Sequence, residues 1–176
     1  MALRDTHFMD HAFSYFQQGI NRVARRLSGM PQDRVVLNRL LFFVVGELDD
    51  SYNRVLVDHG LNSTSFMALA MIYSSENNKL NPSDLSDALI SSRTNVTRLG
   101  DDLAKAGWVK RKPSTEDRRR VELSLTRAGK TLVEKVLPGL WEHIVRQWSG
   151  FTAAEVKEFD RLLRKLLIGL NRLAER

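Results

Sequence analysis

Apolar positions recur along this chain on two different periods, and the change of period divides it. Between residues 8 and 28, Phe13, Phe16, Ile20, Val23 and Leu27 lie three and four apart, the stripe of an amphipathic helix. "SGMPQD" breaks that stripe with Gly29 and Pro31. A second stripe, Leu37, Leu41, Val44, Leu48, Tyr52 and Val55, predicts a helix from an Asp33 N-cap to about His59, with Gly60 at the stop position. A third helix is predicted over "LNSTSFMALAMIY", with Phe66, Leu69, Ala70 and Tyr73 on one face, followed by "SSENNKL" as a polar connection.

Two short helices come next. "NPSDLSDALI" offers Asn81 as N-cap, Pro82 at the first helical position and Asp84 in the first turn, with Leu85, Ala88 and Leu89 facing inward. After "SS" a new helix starts, with Ser92 as N-cap, Val96, Leu99, Leu103 and Ala106 inward, and Gly107 closing it. Short helices joined by a tight turn are the pattern of a helix-turn-helix. The outward face of the second carries Arg93, Thr94, Thr97 and Arg98 in its first two turns, side chains able to reach a base edge or a phosphate.

The period then falls to two. Val121, Leu123 and Leu125 alternate with Glu122 and Ser124, which predicts a strand, and residues 108–112 are its antiparallel partner. Between them lies "KRKPSTEDRRR", residues 110–120, with six cationic and two anionic side chains around a Pro-Ser-Thr turn signal. A basic hairpin directly after a recognition helix is the arrangement of a winged helix. Arg119 is the candidate for the minor groove, where negative potential is strongest, and Asp117 the candidate for holding the wing's shape. Lys110, Lys112, Arg118 and Arg120 are candidates for phosphate contact.

Helical period returns with Leu132, Val136, Leu140, Ile144 and Trp148, and again over "FTAAEVKEFDRLLRKLLIGLNRL". There Thr152 and Glu155 form a capping box, and Val156, Phe159, Leu163, Leu166, Leu167 and Leu170 a broad apolar face. Long amphipathic helices at both ends carry more apolar surface than the small winged module can cover. The expectation is therefore a mainly α fold, a winged helix-turn-helix with an α-helical dimerisation domain formed by both termini. Residues 1–60 and 127–176 are assigned to dimerisation, and residues 61–126 to the DNA-binding lobe.

Composition narrows the chemistry. The chain has 176 residues, no cysteine and a net charge of +6. Disulfides, thiolate metal sites and thiol-based sensing are excluded. The longest apolar run, "LLFFVV", is far shorter than the roughly 20 residues of a membrane span, and the N-terminus lacks a secretory apolar stretch, so a cytoplasmic protein is expected. His7 and His11 lie four apart but have no carboxylate or thiol at matching spacing, so no metal site is assigned. Asp49-Asp50 and Asp101-Asp102 are helical neighbours about 100° apart and do not converge as catalytic pairs would. With no glycine-rich phosphate loop, nucleophile elbow or zinc-protease motif, neither an enzyme nor a cofactor is expected. Met67, Met71 and Tyr52, with His11, are the candidate effector-binding residues, since Met and Tyr suit an adaptable apolar cavity with a polar handle.

The stretches "SSRTNVTR" and "GWVKR", and the wing "DRR" followed by "LSLTRAG", resemble the MarR family of bacterial transcriptional regulators. The resemblance runs over roughly residues 33 to 175. "SSRTN", "GW" and "VLP" are most similar to the branch that represses an enterobacterial multidrug-efflux operon, and the extra N-terminal helix is similar to that of the urate-responsive branch. At the acidic position of the urate branch's third helix this chain has Met67. The resemblance implies that Ser92, Arg93, Thr94, Asn95, Thr97 and Arg98 form the recognition segment, and that Asp117 and Arg119 are the wing's Asp-x-Arg. It further implies a homodimer on a pseudopalindromic double-stranded operator, released by a small, aromatic or anionic effector. Regulation of an aromatic-acid catabolic operon, as repressor or activator, is the alternative within this class. Outside it stands a non-enzymatic helical interaction protein whose basic hairpin is only a solvated face.

Overall fold

The structure, a computed structural model, describes residues 6–89, 92–113 and 121–174, and leaves the side chains of residues 6–12 and 93 undescribed. The chain forms two compact units, Met1–Phe66 and Met67–Arg176. Helices α1 (Thr6–Arg26), α2 (Gln32–Leu56) and α3 (Ser63–Ser74) are followed by the short strand β1 (Lys79–Leu80) and helices α4 (Pro82–Ala88) and α5 (Arg93–Lys105). Strands β2 (Val109–Pro113) and β3 (Val121–Leu125) and helices α6 (Arg127–Gln147) and α7 (Ala153–Ala174) complete it.

In the first unit the predicted stripe of α1 meets α2 through rings. Phe13 and Phe16 both pack edge-on against Phe43, and the Arg39 guanidinium lies 4.2 Å from the centre of the Phe16 ring. Helix α2 begins at Gln32 with Pro31 in the cap position, so Asp33 falls in the first turn instead of capping it. One 3-10 turn, Val57–His59, extends α2 to Gly60, whose φ of 70° is the left-handed stop expected there. Asn62 and Ser65 cap the start of α3 reciprocally, each accepting the other's backbone N–H at 2.8–2.9 Å. Ser63 donates its N–H to Asn53 at 2.8 Å and its hydroxyl to Asp49, which binds this corner to α2. Asp49 thus works in a hydrogen-bonded corner.

The second unit is built on a three-stranded antiparallel sheet in the order β1-β3-β2. β1 was not foreseen. Its two residues are too few to carry a period, and they pair with Ser124 and Leu123, more than forty positions later. Ala68, Leu69, Ile72, Leu85, Val96, Leu103, Val109, Leu123, Val133, Val136 and Leu140 supply the buried apolar side chains among the described residues. Two alanines expected inside, Ala88 and Ala106, are exposed, and Ser86 is buried instead. Ala88 is the last residue of α4 and Ala106 the cap that follows α5. At the far end Trp148 stacks against Phe151 and Phe159, turning α6 into α7. The capping box is present: the Glu155 N–H donates to the Thr152 hydroxyl at 3.3 Å, and the Glu155 carboxylate accepts the Thr152 N–H at 2.7 Å and its hydroxyl at 2.8 Å, which holds that carboxyl below its ordinary pKa. Along α7, Leu163, Leu166, Leu167 and Leu170 are all exposed in the single chain, between 39% and 57%.

Candidate nucleic-acid interface

Helix α5 is placed by its caps. The Ser92 hydroxyl accepts the Asn95 N–H at 3.2 Å, which satisfies one of the free donors at the helix start. At the other end Gly107, with φ 77°, lets its own N–H reach Ala104 and that of Trp108 reach Leu103, both at 3.0 Å. Between these caps Val96 and Leu103 are buried, and Thr94, Asn95, Thr97 and Arg98 are exposed. Burial of one side forces the polar stripe outward. Among the described residues no carboxylate pairs with Arg98.

The hairpin sorts its cations by strand alternation. β2 and β3 pair with Lys110 opposite Ser124, Arg111 opposite Leu123 and Lys112 opposite Glu122. Directly opposed residues share a face, so Lys110 and Lys112 lie on the outer face with Ser124 and Glu122, while Arg111 shares the inner face with buried Leu123. Glu122 is already committed to Lys79 of β1, at 3.0 Å. Lys110 and Lys112 remain exposed. Arg111 is exposed too, but its guanidinium is bonded to Asp101 of α5. The sequence reading names Lys110 and Lys112 as phosphate candidates and gives Arg111 no role; the strand register places Arg111 on the opposite face from them.

A third set of contacts fastens the sheet to α6. The Thr126 hydroxyl donates to the Gly107 carbonyl at 2.7 Å and accepts the Gly129 N–H at 3.0 Å, and the Thr126 N–H donates to the Trp108 carbonyl at 3.0 Å. "GW" and "LTRAG" are therefore one structural joint, a role the sequence reading did not assign them. A Thr followed three residues later by Gly, directly after a strand, is the signal that was there to be read.

Of the candidate residues, Ser92, Thr94, Asn95, Thr97, Arg98, Lys110 and Lys112 lie on one unit, on α5 and the adjoining strand. Asp117, Arg118, Arg119 and Arg120 lie outside the described residues, as does the side chain of Arg93. Among the effector candidates Met67 is 47% exposed, Tyr52 and Met71 are half-buried, and the His11 side chain is outside the described residues. No group of three potential metal ligands occurs among the described residues. No single described helix is long and apolar enough to cross a membrane.

Comparison with known proteins bears on the same elements. A model of the MarR family matches residues 61–121, from the start of α3 through the wing. The transcriptional repressor MprA of Escherichia coli is 36% identical over 167 residues, covering 95% of each chain. The regulator PapX of Escherichia coli is 33% identical over 132 residues, covering 75% of this chain and 80% of its own. Among solved structures, a mutant of MarR from E. coli complexed with operator DNA superposes with a TM-score of 0.71 at 27% identity, covering 80% of this chain and 99% of that one. AbsC of Streptomyces coelicolor, at 21% identity and a TM-score of 0.75 over 82% of this chain and 99% of its own, shares the fold.

Proposed function

The chain belongs to the MarR family of DNA-binding transcriptional regulators, and on that premise we propose that it is a homodimeric repressor, bound to a pseudopalindromic operator and released by a small aromatic or anionic effector. The observation that carries the reading is the joining of two exposed polar surfaces on one unit. The first turns of α5 present Thr94, Asn95, Thr97 and Arg98, and the outer face of β2 presents Lys110 and Lys112. Hydrogen-bonding side chains on a capped helix suit base edges in a major groove, and lysines on an adjoining hairpin suit the phosphates beside it. Arg93 belongs to the same recognition segment, with Arg119 in the minor groove, Asp117 shaping the wing, and Arg118 and Arg120 on phosphate.

The name of MprA, a transcriptional repressor, supports repression as the outcome. The exposed leucines of α7 support a second copy, because an apolar face of that extent is stable in water only when covered. A two-fold dimer then places two recognition helices about one helical turn apart on a pseudopalindrome. We assign effector binding to His11, Tyr52, Met67 and Met71 on the chemistry of their side chains, and the cytoplasm as the compartment where the protein meets its DNA. Release follows if the effector binds the free dimer more tightly than the DNA-bound one.

Fluorescence anisotropy on a duplex from the gene's own upstream region, against a scrambled duplex and with Arg119→Ala alongside, tests the reading. Tight binding of the native duplex alone, weakened in the variant, is expected. Absence of binding to either duplex at low salt would move the protein to the interaction-module alternative.

A further inference from the structure

Asp101 sits where a DNA-binding helix has little use for a carboxylate. It follows Thr94 by seven residues and Thr97 by four, so it continues their stripe along the exposed face of α5. Its side chain is 50% exposed. A bare carboxylate on that stripe would repel the phosphates that Arg98, Lys110 and Lys112 attract. Arg111 meets it there. The guanidinium donates to an Asp101 carboxylate oxygen across the turn that joins α5 to β2. Strand alternation has already placed Arg111 on the inner face, away from Lys110 and Lys112, and its side chain is only 30% exposed.

We infer that Asp101 is a positioning residue for DNA binding: paired with Arg111, it fixes the root of the wing against the recognition helix, so that both meet a duplex in one fixed geometry. This rests on the DNA-binding reading above. Two arguments favour positioning over a stabilising or phosphate-binding role. A half-exposed ion pair adds little to folding stability, yet this one joins the two elements whose mutual placement decides whether groove and phosphate contacts form together. An Arg111 engaged by a carboxylate is also withdrawn from competition for phosphate, which leaves the outer lysines to make the counterion-releasing contacts. The sign of one substitution separates the possibilities. By charge alone, removing an anion from the recognition stripe should tighten DNA binding; by positioning, it should loosen it.

The test uses the full chain and a duplex that the wild type selects from a random pool. Anisotropy titrations at several salt concentrations compare the wild type with Asp101→Asn, Arg111→Gln and the double variant, with a thermal melt of each. Each single substitution is expected to weaken binding about tenfold, with the melting temperature moved by less than about 3 °C and the salt slope little changed. The double variant should lose no more than either single one, because the two residues act as a unit. Binding by Asp101→Asn as tight as the wild type's, or tighter, overturns the inference. So do additive losses in the double variant with a slope reduced by about one in Arg111→Gln, which would make Arg111 a phosphate contact. Should Asp101→Asn melt well below the wild type, Arg111→Lys carries the test, since it keeps the charge but not the planar fork. A loss of about threefold or more is then expected, and wild-type affinity overturns the inference. A wild type that selects no duplex removes the DNA-binding reading, and this inference with it.

Discussion

A Cβ placed on Gly129 would lie 2.1 Å from the carbonyl oxygen of Trp108. The first turn of α6 is pressed onto the backbone that leaves α5, and only a hydrogen fits between them. Gly129→Ala must push the two backbones apart and strain the Thr126 bonds beside it, at a cost of about 2–4 kcal/mol. Urea denaturation should show this as a lowered midpoint. Gly100→Ala is the control: its Cβ would meet only the Leu123 methyls at 3.5 and 3.7 Å, and the helix gains about 1 kcal/mol of propensity. Equal stability of the two variants would mean that α6 does not approach Trp108 so closely.

Ser92 separates capping from DNA contact. Its hydroxyl accepts the Asn95 N–H, so Ser92→Ala should cost about 1 kcal/mol of stability. Ser92→Asp keeps the cap and favours the helix dipole, but brings a negative charge to the end of the helix that we propose faces DNA. Stability should hold while operator affinity falls, as a melt and an anisotropy titration on the same sample would record. Affinity preserved in Ser92→Asp would place the start of α5 away from the phosphates.

Lys110 and Lys112 share the exposed outer face of the hairpin, and Glu122 beside them is held by Lys79. If both lysines reach phosphate, Lys110→Gln and Lys112→Gln should each reduce the slope of log affinity against log salt by about one, on specific and non-specific duplexes alike. A slope unchanged in both variants would make that face solvated only.

The start of α7 should respond to acid through Glu155. Hydrogen bonds from the Thr152 backbone and hydroxyl hold its carboxyl below the ordinary glutamate value. A lowered folded pKa means that the stabilisation is complete above the unfolded value and is lost as pH falls through the folded one. Carboxyl carbon NMR should therefore find Glu155 titrating below an unstructured glutamate. In Glu155→Gln, which can still accept the bond, amide exchange in the first turn of α7 should lose its dependence on pH in that acidic window. An ordinary midpoint for Glu155 would remove the capping bond.

Where structure is decided over a few residues, the sequence determined it. Ser92, Gly107, Gly60 and the Thr152–Glu155 box act on backbone groups within a turn of themselves, and each stands where its residue type required. The periods of α1, α6 and α7 and the alternation of β3 were legible for the same reason: apolar side chains repeat along the chain at the period of the element that carries them. With them came α5, its exposed polar stripe and the hairpin beside it. Tertiary structure decided what depends on partners far along the chain. Strand β1 exists because Leu123 and Ser124 supply its hydrogen bonds, not because Lys79 and Leu80 carry a pattern. Ser86 is buried and Ala88 exposed because packing around a seven-residue helix overrides side-chain polarity. Arg111 stands among cations in sequence, yet pleating turns it inward to Asp101 while Lys110 and Lys112 stay out. Gly129 is required by a carbonyl twenty-one residues earlier. Local bonds carry their own signature in the sequence, whereas a contact between distant residues is specified only when the packed core brings their backbones together.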